Sequence, residues 1–318
     1  MISKKLQLFF LFIFLLPIQC KTRTVKLEVQ GASYCVSNRF SKRFNEYTNQ
    51  EIDSILTNPK LLKRFSIRSL RIAIAYDFWQ DLLKYVELEN EVSTNITKRL
   101  EILELRESIF QSIQFAQSDL NAMVSEIRCY VDRFTEIILD MQETETEIVR
   151  KNTFWAITIG AIGTILDGGT IYKNPVNEVV IIMQGVLVAY FSYRAYDPEI
   201  VVEFKPRSTV LKDLYFNPPV SQSFSAPLWF LISRNYSLDG KMVTTRDTML
   251  ERWEKNHFFG TKEERENTLD ILFGKGGLAN LQIMINRREM IIILKGILQL
   301  TEQDLRSFQA ELKFNYKN

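Results

Sequence analysis

The chain has 318 residues, 46% of them apolar, with 40 Lys and Arg against 38 Asp and Glu, one His and three Cys. That length and apolar content support a substantial core and argue against disorder, and a net charge of +2 without a basic block supplies no field for a nucleic acid. A single His removes most imidazole-dependent catalysis and most transition-metal sites, so no nucleic acid, metal or cofactor is expected.

Met1 to Cys20 reads as a signal peptide. Lys4 and Lys5 precede the apolar run Leu6 to Leu16, and Pro17 opens a short polar end. These 11 residues are too few to span a bilayer, which takes about 20 in a helix. Two processing routes follow: cleavage after Cys20, or lipid attachment to Cys20 itself. The second rests on a resemblance to the bacterial lipobox over four residues. The chain departs from that pattern, because Pro17 and Gln19 stand where a Leu and a small residue are usual, and Leu16 falls one place early. Either route leaves Cys35 and Cys129 in a compartment that permits disulfides, as a bridged pair or as two buried thiols. The expected localisation is the cell envelope, periplasmic or outer-membrane-associated in a bacterium.

Residues 21–150 read as a long helical region. Between Gly31 and Gly160 there is no Gly, and between Pro59 and Pro175 no Pro, so the strongest helix breakers are missing. Thr48-Asn49-Gln50-Glu51 has the capping-box spacing and predicts a helix ending near Asn58, with a second from Leu61 to Glu89. A long helix is then expected from Thr97 to Arg150. Ile113, Leu120, Ile127, Phe134, Met141 and Ile148 recur every seven residues, interleaved with Ile96, Leu103, Phe110, Gln117, Val124, Val131 and Ile138. Such a stripe needs a partner. Residues 21–86 carry a net +6 and residues 87–149 a net −9, which favours an antiparallel pairing within the chain. A protein partner or a second copy docking on the Ile113 to Ile148 stripe is the rival.

Residues 151–195 form an apolar helical hairpin on this reading. Thr153 to Leu166 and Val179 to Phe191 are its two limbs, with Asp167-Gly168-Gly169 and Pro175 between them. Ala156 and Gly160, four apart, allow close helix approach, and Trp155 and Tyr190 sit at the rims where membrane proteins place amphipathic rings. The hairpin candidates are therefore Trp155, Gly160, Gly163, Asp167, Gly185 and Tyr190. The limbs fall short of a transmembrane helix unless extended past Asp167, and an intramembrane carboxylate is costly. A long striped helix leading into an apolar hairpin is similar in layout to α-helical pore-forming proteins. The similarity is architectural, covers residues 60–195, and implies a segment concealed until it meets a bilayer.

Residues 196–240 hold Pro198, Pro206, Pro218, Pro219 and Pro227 and read as an extended segment with a strand at Ile200 to Phe204. Within it Phe224 to Ile232 is apolar and expected to anchor on the helical body. Residues 241–318 return to helix, with starts at Thr261-Lys262-Glu263-Glu264 and Thr301-Glu302-Gln303-Asp304. His257 is expected packed or capping at a helix end, and Gly274-Lys275-Gly276-Gly277 as a C-cap and turn. Asn95 and Asn235 open N-glycosylation patterns, relevant only to a eukaryotic secretory pathway.

No hydrolase, metalloprotease, dithiol or phosphate-loop motif occurs, so no catalytic residue is assigned. The fold expected is mainly α: a long antiparallel helical hairpin or coiled-coil-like bundle, the apolar hairpin, a Pro-rich segment with a short strand, and C-terminal helices. The function expected is a membrane-associated envelope protein acting in interaction or scaffolding. The alternatives are a membrane-inserting or pore-forming protein using residues 153–191, and an enzyme whose site the sequence does not reveal.

Overall fold

The computed structural model describes residues 23–25, 35, 47–90, 96–169, 175–196, 198, 200–205, 210–238 and 241–313. The signal segment with Cys20, and Asn95, lie outside them. The described residues fall into two compact units. One comprises 23–25 and 140–202, the other 35, 47–139 and 203–313.

The fold is mainly α. In the larger unit the first helix, α1 (Asn49–Leu56), starts at the expected box: the Glu51 backbone N–H donates to Thr48 Oγ1, and the Thr48 N–H to Glu51 Oε2 at 2.7 Å. The expected single helix over Leu61 to Glu89 is instead three pieces, α2 (Pro59–Leu62), α3 (Ile67–Ala75) and α4 (Trp79–Asn90). Two local signals break it. Ser66 caps α3, and Asp77 takes a left-handed φ of 58° that ends α3 and turns the chain into α4.

The long helix α5 runs Ile96–Gly169, 74 residues and about 110 Å at 1.5 Å per residue. It therefore passes the stop expected at Arg150. A composition change is not a helix breaker, and an interior Gly such as Gly160 costs only about 1 kcal/mol.

Ile96, Leu103 and Phe110 of the interleaved series are exposed, whereas Ile113, Leu120, Ile127, Phe134 and Met141 are buried and Ile148 half-buried, so this second series is covered within the chain. Its partner is the run of short helices, antiparallel to it. Lys84 pairs with Glu101, Ser108 Oγ donates to Asp81, and the Tyr76 ring meets Phe115 edge-on while its hydroxyl donates to Asp119. Cys129 of α5 is bonded to Cys35, across 94 residues of sequence.

The Pro-rich segment is more helical than expected. After β2 (Ile200–Phe204) come α7 (Val210–Phe216) and α8 (Ala226–Ser233). Pro227 stands in the first turn of α8, where its missing N–H costs nothing, and Ser225 caps the helix. Phe224 and Leu228 to Ile232 are buried, so this stretch anchors as expected. A hairpin of β3 (Tyr236–Leu238) and β4 (Lys241–Val243) leads to α9 (Thr245–Lys255).

The helix α10 (Arg265–Phe273) ends at Gly274, the C-cap expected there, and β5 (Gly277–Asn280) precedes α11 (Leu281–Lys313). No helix starts at Thr301. Its hydroxyl donates to the Ile297 carbonyl in mid-helix, because the apolar face of Leu294, Ile297, Leu298, Leu305, Phe308 and Leu312 continues unbroken. Phe308 closes the core between Phe65 and Phe78, at 5.5 and 5.8 Å between ring centroids.

Two arginines are buried with no carboxylate at ion-pair distance among the described residues. Arg287 lies 4.9 Å from the Phe204 ring and 5.4 Å from the Phe134 ring and donates to the Leu272 carbonyl. Burial lowers its pKa to about 10, so it stays cationic at neutral pH. Arg71, over the Tyr236 ring at 3.6 Å and donating to the Leu231 carbonyl, is lowered by burial to about 10 as well.

At the surface, Arg265 hydrogen-bonds Glu254 through both carboxylate oxygens and holds its pKa below 4.5. A carboxylate depressed in the folded state stabilises above its unfolded pKa, and that contribution fades as the pH falls through the folded value. Both side chains are half-exposed, which limits the effect to about 1 kcal/mol. Denaturant unfolding of wild type and Glu254→Gln is expected to differ by this amount at pH 6 and to converge near pH 2.

Candidate functional site: the apolar helical hairpin

In the smaller unit β1 (Arg23–Val25) pairs in parallel with β2, Arg23 opposite Ile200 and Val25 opposite Val202. The unit's main feature is the end of α5 against α6 (Pro175–Tyr196). Two hydrogen bonds fix their antiparallel register: Asn152 Nδ2 donates to the Arg194 carbonyl and Gln184 Nε2 to the Gly160 carbonyl, both at 3.2 Å.

Small residues permit this approach. Ala156 and Gly163 are buried, and a methyl on Gly160 would meet Val188 at 4.0 Å. A methyl on Gly163 would overlap the Gln184 carboxamide, so this Gly provides the space from which Gln184 reaches across. Replacing Gly163 by Leu is expected to expel Gln184 from the seam and break its hydrogen bond to the Gly160 carbonyl. Amide exchange in residues 153–164 should accelerate by about tenfold, equivalent to about 1.4 kcal/mol, while that of α11 stays unchanged.

The covered seam is narrow. On α6 only Gln184, Val188, Phe191 and Ala195 are half-buried between 181 and 196. The outward side is as apolar as the inward one. Ile181, Ile182, Met183, Val186, Leu187 and Tyr190 are between 38% and 49% exposed, and Gly185 faces open space. On the α5 limb Phe154, Trp155, Ile157 and Ile162 are between 43% and 67% exposed. A fully buried aliphatic or aromatic side chain is worth about 1.5–3 kcal/mol, so this surface forgoes on the order of 10 kcal/mol, as much as a whole fold commonly holds. Scattered exposed leucines need no explanation; a contiguous face of this size marks an interaction site.

The hairpin's open end differs from its apolar length. Phe154, Trp155, Tyr190, Phe191 and Tyr193 cluster in sequence and register beside Arg150, Lys151 and Arg194. Arg194 donates to the Tyr190 hydroxyl at 3.2 Å, and Phe154 meets Trp155 edge-on at 5.8 Å. Asp167 ends the apolar part of α5, and its side chain lies outside the described residues.

The sequence-derived candidates Trp155, Gly160, Gly163, Gly185 and Tyr190 thus come together on one hairpin. Gln184 was missed as a seam residue; its place as the lone polar group in an apolar run was the available signal. Cys35 and Cys129 meet as a disulfide in the other unit. His257 is exposed and not packed, and it takes the capping place expected at a helix end through its backbone: two residues past the end of α9, with φ of 54°, its N–H donates to the Glu254 carbonyl. A left-handed backbone at that position points its ring away from the core.

Among the described residues no helix is long and apolar enough to cross a membrane, so a limb extended past Asp167 into a transmembrane helix is not found, and no acidic, His or Cys cluster has metal-binding geometry. Among the described residues a groove of about 620 Å³ beside Cys129 is lined by α5, with Arg128, Asp132, Arg133 and Glu136. Comparison with protein-family models, curated proteins and solved structures returns no match.

Proposed function

We propose that this chain is an exported helical protein of the cell envelope that attaches to a bilayer through residues 153–191 and acts there by interaction or scaffolding. The observation carrying this reading is that, among residues 153–164 and 181–191, apolar side chains lie on the outward faces as well as in the one narrow covered seam. A helix hydrophobic all round belongs in a protein core or in lipid. The Cys35–Cys129 bridge supports an oxidising compartment, as does the signal-like segment.

Depth sets the mode of attachment. The charge-free runs 153–166 and 179–193 are 14 and 15 residues, about 21 and 22 Å of helix, against a hydrocarbon core of about 30 Å. Neither run crosses that core, and the charged turn of Asp167, Lys173 and Glu178 keeps the tip at headgroup depth, so the hairpin lies within one leaflet. Vesicle flotation of the purified chain tests this: protein rising with the vesicles is expected, and protein left at the bottom contradicts it. Flotation that survives Cys20→Ala assigns the tether to the hairpin, and loss assigns it to an acyl chain on Cys20.

A second reading, pore formation, is favoured by the unbroken passage of α5 from amphipathic stripe into apolar limb. Dye leakage from vesicles, abolished by Gly160→Asp, would support it, and intact vesicles under bound protein would remove it.

A further inference from the structure

Resting on the bilayer reading, we propose that the hairpin selects anionic phospholipid through a basic collar of Arg150, Lys151 and Arg194 at its open end. The register places these cations together, since Asn152, next to Lys151, donates to the backbone carbonyl of Arg194 on the facing limb. All three side chains are exposed, and none makes an ion pair among the described residues; Arg194 donates only to the Tyr190 hydroxyl. Glu147, one turn before Lys151, and Asp197, three residues after Arg194, are the nearest acidic residues in sequence and leave the collar at a net +1.

Position relative to the apolar surface gives the collar its partner. Trp155 and Tyr190 adjoin it on the hairpin side, and from there to Leu166 no residue of the limb is charged. Aromatic rings of this kind settle at the headgroup level, and Lys and Arg beside them reach outward to phosphate. Immersing the apolar faces therefore brings the collar to the depth of the phosphate groups, where the field of an acidic leaflet is strongest. The other end carries Asp167, Lys173 and Glu178, a net −1, so the charge asymmetry favours the collar at the acidic surface.

Partition of the full chain between phosphatidylcholine vesicles and vesicles also containing phosphatidylglycerol reads this directly. Each cation near an acidic surface is worth about fivefold, so the acidic vesicles are expected to bind on the order of a hundredfold more tightly. The ratio should shrink as salt rises and the Debye length falls from about 10 Å to about 3 Å. The R150Q/K151Q/R194Q variant should lose the preference yet bind neutral vesicles like wild type, and R150K/R194K should retain it. Equal wild-type binding to both vesicles overturns the inference and leaves the bilayer reading intact. Binding to neither overturns the bilayer reading itself. Loss of neutral-vesicle binding in the glutamine variant overturns the collar's assignment, because the cations would then be supporting the hairpin and not reading the lipid.

Discussion

Leu187→Asp is expected to lower partition into vesicles by on the order of a hundredfold while leaving the fold untouched. Leu187 points outward from α6 and is 42% exposed, so a carboxylate there meets water in the free protein and should change stability by less than about 0.5 kcal/mol. In the bilayer the same carboxylate must leave water, at a cost of up to about 2.5–3.5 kcal/mol. The effect thus appears in binding and not in folding. Leu300→Asp is the control, since Leu300 is 58% exposed on α11 in the other unit and should not alter partition. Sedimentation with vesicles, alongside thermal unfolding of each variant, separates the two effects. Equal losses from both substitutions would mean that general charge, and not the hairpin face, governs binding.

The second large effect is expected on reduction of Cys35–Cys129. In the chain-entropy account, opening a loop that spans 94 residues of sequence restores freedom to the unfolded chain worth about 4.5 kcal/mol. For a unit of this size that corresponds to a fall in Tm of roughly 10–15 °C. Cys35→Ser and Cys129→Ser should each reproduce it, and the double variant should add little, because either single change already opens the loop. Thermal unfolding with and without dithiothreitol checks this. A transition that does not move would mean that the two sulfurs are unbonded in solution.

Much of the architecture was legible because helices depend on what is missing. Without Gly before Gly160, or Pro before Pro175, nothing stopped α5 over most of its length, and the seven-residue spacing from Ile113 to Met141 marked a face that ends up buried. Reading a stop at Arg150 failed because a change from charged to apolar side chains alters a helix's surroundings, not its hydrogen bonding. The break at Asp77 was illegible for the opposite reason: one left-handed residue ends α3, held by tertiary packing with no Gly to announce it. Proline density misled in the 196–240 segment, where Pro227 opens a helix. The hairpin's limbs were visible as apolar runs, whereas their exposure was not, since exposure is decided by what packs against them. Asn152 and Arg194 are 42 residues apart, and only the folded register made Arg150, Lys151 and Arg194 a cluster.

The most direct measurement uses Trp155, which is 43% exposed at the hairpin's rim, while Trp229 and Trp253 are buried and Trp79 is half-buried in the other unit. Vesicles made with lipids brominated at shallow acyl positions should quench part of the chain's tryptophan emission, and that quenched part should be missing in Trp155→Phe. Identical quenching of wild type and Trp155→Phe, or none on mixing with vesicles, would contradict insertion of the hairpin.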